Sequence, residues 1–226
     1  MFQDRFERKN RFETKNDSEA KSSSEMKSSR LEAFSDGVIA VIITIMVLEL
    51  HVPRADGLAG LWSVAPRLGI YLLSFLMVGI YWINHHELIR RTEVVDYRIL
   101  WANLAFLFVL SLIPYFVDYL DEKLFDTFST ILYDCTMLVS GLSFFVLRWT
   151  VMRLQWKAGS LRRSDEAELW RHAVSLGIYL LSIAVAFYRP WLSLAITALV
   201  TVVWIVPGAG VKGHESASAS APDSLK

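Results

Sequence analysis

Apolar and polar positions alternate along this chain on the scale of whole helices. Apolar runs of about 20 residues, the length that crosses a roughly 30 Å hydrocarbon core, recur between short charged connectors. Six such runs are predicted as helices, over about 31–50, 60–86, 98–118, 125–150, 168–188 and 190–207. The fifth and sixth are separated only by Tyr188-Arg189-Pro190, which predicts a tight helical hairpin with Pro190 in the first turn of the last helix, where its missing N–H costs nothing. Pro114, inside the third run, predicts a kink. The flanks are polar and have little to bury: residues 1–29 and 208–226 are predicted to be disordered, and 30–207 to form a single six-helix domain. The predicted fold class is an all-α membrane protein.

Charge adds orientation to this plan. The net charge of zero hides an ordered distribution. Eight Lys/Arg lie in the first thirty residues, Arg90, Arg91 and Arg98 follow the second run, and Arg153, Lys157, Arg162 and Arg163 follow the fourth. The alternate connectors are poor in cations, and the one after the third run carries Asp118, Asp121, Glu122 and Asp126 around a single Lys123. The positive-inside rule then puts both termini in the cytoplasm after an even number of crossings. The N-terminal segment lacks the apolar core of a secretory signal, so the first run is expected to stay as an anchor. The lone cysteine, Cys135, leaves no intramolecular disulfide and makes a thiol–metal site a poor fit. There is no TVGYG filter loop, Walker sequence, HExxH or Gly-x-Ser-x-Gly elbow, and no enzyme or cofactor site is expected.

The chemistry concentrates in the first run, Arg30–Leu50. Ser35 and Asp36 sit just inside its N-terminal end, and from Gly37 to Leu48 the only polar side chain is Thr44. A carboxylate at that depth costs several kcal/mol unless paired. The topology brings Arg30, His85, His86 and Asn103 to the same level as candidate donors, with Trp82 nearby. The resulting network is either a proton-sensitive latch, since histidine titrates near neutrality, or a static clasp. His85 and His86 point about 100° apart on a helix and are poorly placed to chelate one ion. Val41, Thr44, Ile45 and Leu48 form one stripe roughly 10 Å tall. On a lone helix that stripe is a packing face. Around an axis it becomes stacked rings, where apolar layers gate by dewetting and a hydroxyl layer replaces part of a cation's hydration shell. Glu49 at the far end would then attract cations to the mouth. Asp134, in the fourth run, is expected to pair locally near the acidic connector or to line a vestibule. Gly69–Ser74 (GIYLLS) recurs as Gly177–Ser182, but the flanks diverge and the echo alone does not establish a repeat.

Arg30-x-x-Ala33-Phe34-Ser35-Asp36-Gly37, followed by Thr44 and Leu48-Glu49, resembles the transmembrane protein 175 family of potassium channels. Trp82, the His85-His86 pair and Asn103 extend the resemblance, which covers roughly 30–207. It implies a potassium-preferring, leak-like cation channel whose first helix lines the pore, with the constriction at Val41, Ile45 and Leu48 and the hydroxyl layer at Thr44. Arg30, Phe34, Ser35, Asp36, Trp82, His85, His86 and Asn103 would form the polar network. A single six-helix unit resembles the prokaryotic branch, which implies a homotetramer in a prokaryotic plasma membrane. Its partners would be potassium ions, lipid and copies of itself, with no nucleic acid, cofactor or resident metal. Val41 stands where the family often has Ile or Leu, and Ile45 where Leu is common, which bears on selectivity. The alternatives from other classes are a proton-coupled secondary transporter using Asp36 with His85 or His86, and a non-conducting scaffold.

Overall fold

The computed structural model describes residues 28–53, 56–92, 95–123, 125–157 and 163–205. Among them all regular structure is helical: α1 (Ser28–Leu48), α2 (Gly57–Ser63), α3 (Ala65–Arg90), α4 (Tyr97–Ser111), α5 (Ile113–Glu122), α6 (Thr127–Lys157), α7 (Arg163–Ala186) and α8 (Pro190–Ile205). Five stretches, Ser28–Leu48, Ala65–Arg90, Tyr97–Glu122, Thr127–Trp156 and Leu169–Ala186, are long and apolar enough to cross a bilayer. Among the described residues the sixth predicted span is covered by a shorter apolar helix. α8 has 16 residues, about 24 Å at the helical rise, which falls short of the hydrocarbon thickness.

Proline explains both interruptions. The predicted second span is split at Val64, just before Pro66, and the third at Leu112, just before Pro114. Each ring removes a backbone donor and crowds the preceding turn, so the helix restarts with proline in its first turn. The kink expected at Pro114 is therefore present, and Pro190 opens α8 as expected. The predicted tails 1–29 and 208–226 lie outside the described residues, with one correction. Ser28 and Ser29 are already helical, and the Ser28 hydroxyl donates to the Ile89 carbonyl at 3.1 Å.

α6 is the central helix, packed against α3, α4, α5, α7 and α8. Tyr133, Met137, Phe144, Leu147 and Val151 along it are fully buried. Phe144 meets Phe106 of α4 at 5.2 Å and Tyr81 of α3 at 5.9 Å between ring centroids. Gly141 lets three helices close in: a Cβ there would lie 3.2 Å from Leu176 and 3.3 Å from the Tyr81 hydroxyl. The GIYLLS echo acquires a structural counterpart on α6. Ser74 shares a hydrogen bond with the Tyr133 hydroxyl at 3.0 Å, and Ser182 Oγ lies 2.9 Å from Oδ2 of the adjacent Asp134. Asp134 thus finds its partners on α7 and α8, not in the acidic connector where local pairing was expected.

Candidate functional site

The first helix is held by one face and left open on the other. Leu31, Ser35, Ile39, Ile42 and Met46, at steps of three and four, are buried. That spacing gives one stripe directed into the bundle. Across from it Arg30, Phe34, Gly37, Val41, Thr44, Ile45 and Leu48 share the opposite face and are exposed. Val41 is 55 % exposed, Ile45 40 % and Leu48 79 %, high values for large side chains on a helix that packs well elsewhere.

α1 and α3 run antiparallel, zipped by polar pairs one turn apart. Ser28 meets Ile89, Glu32 Oε1 lies 2.9 Å from His86 Nδ1, and the Trp82 indole N–H donates to Asp36 Oδ1 at 2.8 Å. Four-residue steps on α1 answer three- and four-residue steps on α3, as facing helical turns require. The Glu32–His86 contact is ionic only when the ring is protonated. Trp82 also packs on the His86 ring, with centroids 5.8 Å apart.

A second chain of bonds ties α1 to α4. The Asp96 side chain caps α4 by accepting from the Ile99 N–H at 2.9 Å, which starts the helix so that Asn103 points into the bundle. Asn103 Nδ2 donates to Ser35 Oγ at 2.9 Å, and Ser35 passes its own hydrogen to the Leu31 carbonyl at 2.9 Å. Asn103 Oδ1 lies 2.7 Å from His85 Nε2, and because an amide oxygen only accepts, the network assigns the ring hydrogen to Nε2. His85 stacks on Phe106 at 5.7 Å, and its Nδ1 is buried without a hydrogen-bond partner. A second proton on that nitrogen would find no acceptor.

Ser35, Asp36, Trp82, His85, His86 and Asn103 are therefore brought together on α1, α3 and α4. Two expected members are not. Arg30 is exposed and, among the described residues, makes no hydrogen bond or ion pair with the others; Phe34 is 54 % exposed on the open face. Asp36 is paired, but by Trp82 and not by any of the four donors expected. Glu32 was missed by the sequence reading, although its position four residues before Asp36 on the same helix face could have revealed it. Glu32, Asp36 and His86 bring candidate ligand atoms within 4.8 Å of one another, but Asp36 is engaged by Trp82 and Glu32 by His86.

Beside the open face lies a groove of about 660 Å³ between α1 and the α4–α5 kink. Phe34, Gly37, Val41 and Ile45 line it, and Glu49 and Asp118 form its acidic end. Thr44 turns its hydroxyl hydrogen back to the Val41 carbonyl at 2.8 Å, which leaves the oxygen lone pairs facing outward.

Residues 30–114, which span α1, the α3 pairs and Asn103, match the family described as "Endosomal/lysosomal potassium channel TMEM175". The chain is similar to a protein named as a potassium channel from Chryseobacterium sp. (strain P1-3), 38% identical over 79% of this chain and 92% of that one. It is also similar to one so named from Streptomyces collinus, 32% identical over 84% and 98%. The fold resembles the crystal structure of a TMEM175 homolog from Chamaesiphon minutus with a TM-score of 0.71, at 24% identity, covering 80% of this chain and 97% of that one.

Proposed function

The chain belongs to the TMEM175 family, and on that premise we propose that it is a potassium-selective, leak-like cation channel of a prokaryotic plasma membrane, assembled as a homotetramer with both termini cytoplasmic. Six crossings fit this reading if α8 completes its passage by thinning the bilayer locally. The observation that carries the proposal is the open stripe of α1, large and apolar, which the described residues leave exposed.

Four copies of that stripe around an axis give apolar rings at Val41, Ile45 and Leu48 and a hydroxyl ring at Thr44. The apolar rings form the constriction, and the outward lone pairs of Thr44 offer a partial substitute for hydration water. Glu49 at the mouth raises the local cation concentration. Permeation follows the ion gradient and makes or breaks no bond. The Ser35–Asn103–His85 chain acts as a static clasp that fixes α1 against α3 and α4, since each of its contacts has a hydrogen. The missing acceptor at His85 Nδ1 weighs against its use as a proton relay and hence against the transporter alternative.

Flux from potassium-loaded liposomes tests this, with sodium or N-methylglucamine outside and valinomycin to define the maximum. Potassium flux well above sodium flux is expected. Leu48→Ala and Ile45→Ala should each raise flux several-fold and weaken discrimination. Unchanged flux in both would remove these side chains from the pore, and saturable flux stoichiometrically coupled to protons would favour the transporter.

A further inference from the structure

Asp134 lies in α6, wholly buried, away from the open face of α1 and from its clasp. Its partners are Ser182, near the end of α7, and Ser193 and Thr197, in the first turns of α8, and each of these is also wholly buried. Ser182 and Ser193 meet on either side of the Phe187–Arg189 turn that joins the two helices.

The positions of the hydroxyl hydrogens decide what this cluster is. Ser182 Oγ lies 2.8 Å from the Ser193 carbonyl, and Ser193 Oγ lies 2.8 Å from the Ser182 carbonyl, a reciprocal clasp across the hairpin. A hydroxyl carries one hydrogen, and a carbonyl can only accept, so the clasp uses the single hydrogen of each serine. Thr197 gives its hydrogen to Asp134 Oδ1 at 2.7 Å. Asp134 Oδ2 nevertheless lies within bonding distance of both Ser182 Oγ, at 2.9 Å, and Ser193 Oγ. Ser182 Oγ also lies 2.9 Å from Ser193 Oγ and 2.8 Å from Thr197 Oγ1. Seven contacts thus share three hydroxyl hydrogens, and with both serine hydrogens in the clasp the carboxyl group is where a fourth can sit.

The surroundings supply no other positive charge. Among the described residues no Lys, Arg or His pairs with Asp134, and α8 carries no charged side chain. The titratable groups near enough to feel it are Tyr133 and Cys135 on α6 and Tyr179 on α7, all neutral when protonated. Tyr133 is itself bonded to Ser74 of α3. An ionised carboxylate here would rest on hydroxyl groups alone at membrane depth, with no cation among the described residues to pair it.

We propose that Asp134 with Ser182, Ser193 and Thr197 is a proton-binding site, occupied as a neutral carboxylic acid that donates from Oδ2 to a serine of the α7–α8 clasp. Release of that proton turns the serine hydroxyls from the backbone carbonyls toward the carboxylate. The reciprocal clasp then opens, and α7 and α8 exchange their direct tie for one through the carboxylate of α6. Proton occupancy and helix pairing are thus a single equilibrium.

Infrared difference spectroscopy of the full chain in lipid nanodiscs, with carbon-13-labelled aspartate, tests this directly. At neutral pH wild type should show the carbonyl band of a protonated carboxylic acid that Asp134→Asn lacks. Ser193→Ala should shift that band by removing its partner. Asp134→Asn should fold with an unchanged thermal midpoint, because its amide supplies the donor hydrogen. Absence of the acid band in wild type overturns the proposal. Failure of Asp134→Asn to fold counts against it, and the Ser193→Ala shift in a folded variant then decides. A thermal midpoint that rises with sodium or potassium at constant ionic strength, in wild type but not in Asp134→Asn, and with no acid band, would replace the proton by a metal cation.

Discussion

Two buried polar clusters stand at opposite ends of this bundle, and they differ in hydrogen balance more than in hydrogen-bond length. In the first, Ser35, Asn103 and His85 pass hydrogens in one direction and end on the Leu31 carbonyl, so every contact is filled by a neutral group. In the second, Ser182 and Ser193 have more oxygen neighbours than hydrogens to give them, and the shortage falls on Asp134. Distances alone would rank the two as equally satisfied. Assigning hydrogens separates a fixed clasp from a cluster that needs a proton to close.

The balanced cluster should be the more costly to damage. Asn103→Leu removes both of its interhelical bonds and leaves a buried imidazole N–H without an acceptor. Interhelical bonds in membranes contribute about 0.6 kcal/mol on average and up to about 1.7, so a loss of about 2 kcal/mol is expected, read as a lower thermal midpoint in detergent. In the proton-poor cluster, Ser193→Ala should cost less, roughly 0.5 kcal/mol, because it also removes one of the crowded oxygens. Equal costs would erase the distinction, and a larger cost for Ser193→Ala would mean that Asp134 is ionised and depends on that hydroxyl.

Trp82→Phe sharpens the comparison from the side of α1. It keeps the ring against His86 but deletes the indole N–H that Asp36 accepts. Bonds to charged groups in protein interiors reach about 1.5–3 kcal/mol, but Trp82 is 40 % exposed and water can replace the lost donor, so about 1 kcal/mol is expected. A neutral result in a thermal-shift assay would show that Asp36 is held by solvent, and the polar zipper between α1 and α3 would then rest on Glu32 and His86.

What was legible in the sequence follows from how far apart the determining residues lie. Five of the six spans were legible because the bilayer imposes one long apolar period, and Pro114 and Pro190 mark interruptions locally; the break before Pro66 was not read. The start of α1 was misplaced by three residues because Ser28 is held by the backbone of Ile89, 61 positions away. Trp82 was gathered into the network but not matched to Asp36, since an indole carries no charge to draw attention as a partner. For Asp134 the partners lie 48 to 63 positions away and are serines and threonine, residues common throughout these helices. The repeated GIYLLS was the one sequence signal for that cluster. Its terminal serines reach neighbouring positions of α6, one a tyrosine and the other the acid.

The smallest expected effect bears on whether charge pairing at the surface resembles either buried cluster. Arg67, near the start of α3, and Asp121, near the end of α5, pair at 2.8 Å, with side chains 34% and 17% exposed. Unlike Asp134, Asp121 has a cation beside it, yet the guanidinium remains largely in reach of water. Partial screening and the entropy of the long side chain offset most of the attraction, so Arg67→Gln should cost at most about 0.5 kcal/mol and less as salt is raised. A thermal midpoint that falls as far as in Asn103→Leu, and at high salt as well, would show that the pair is shielded from water. The α3–α5 contact would then be an electrostatic anchor of the fold, and the hydrogen balance that divides the two buried clusters would no longer be the main polar determinant of this bundle.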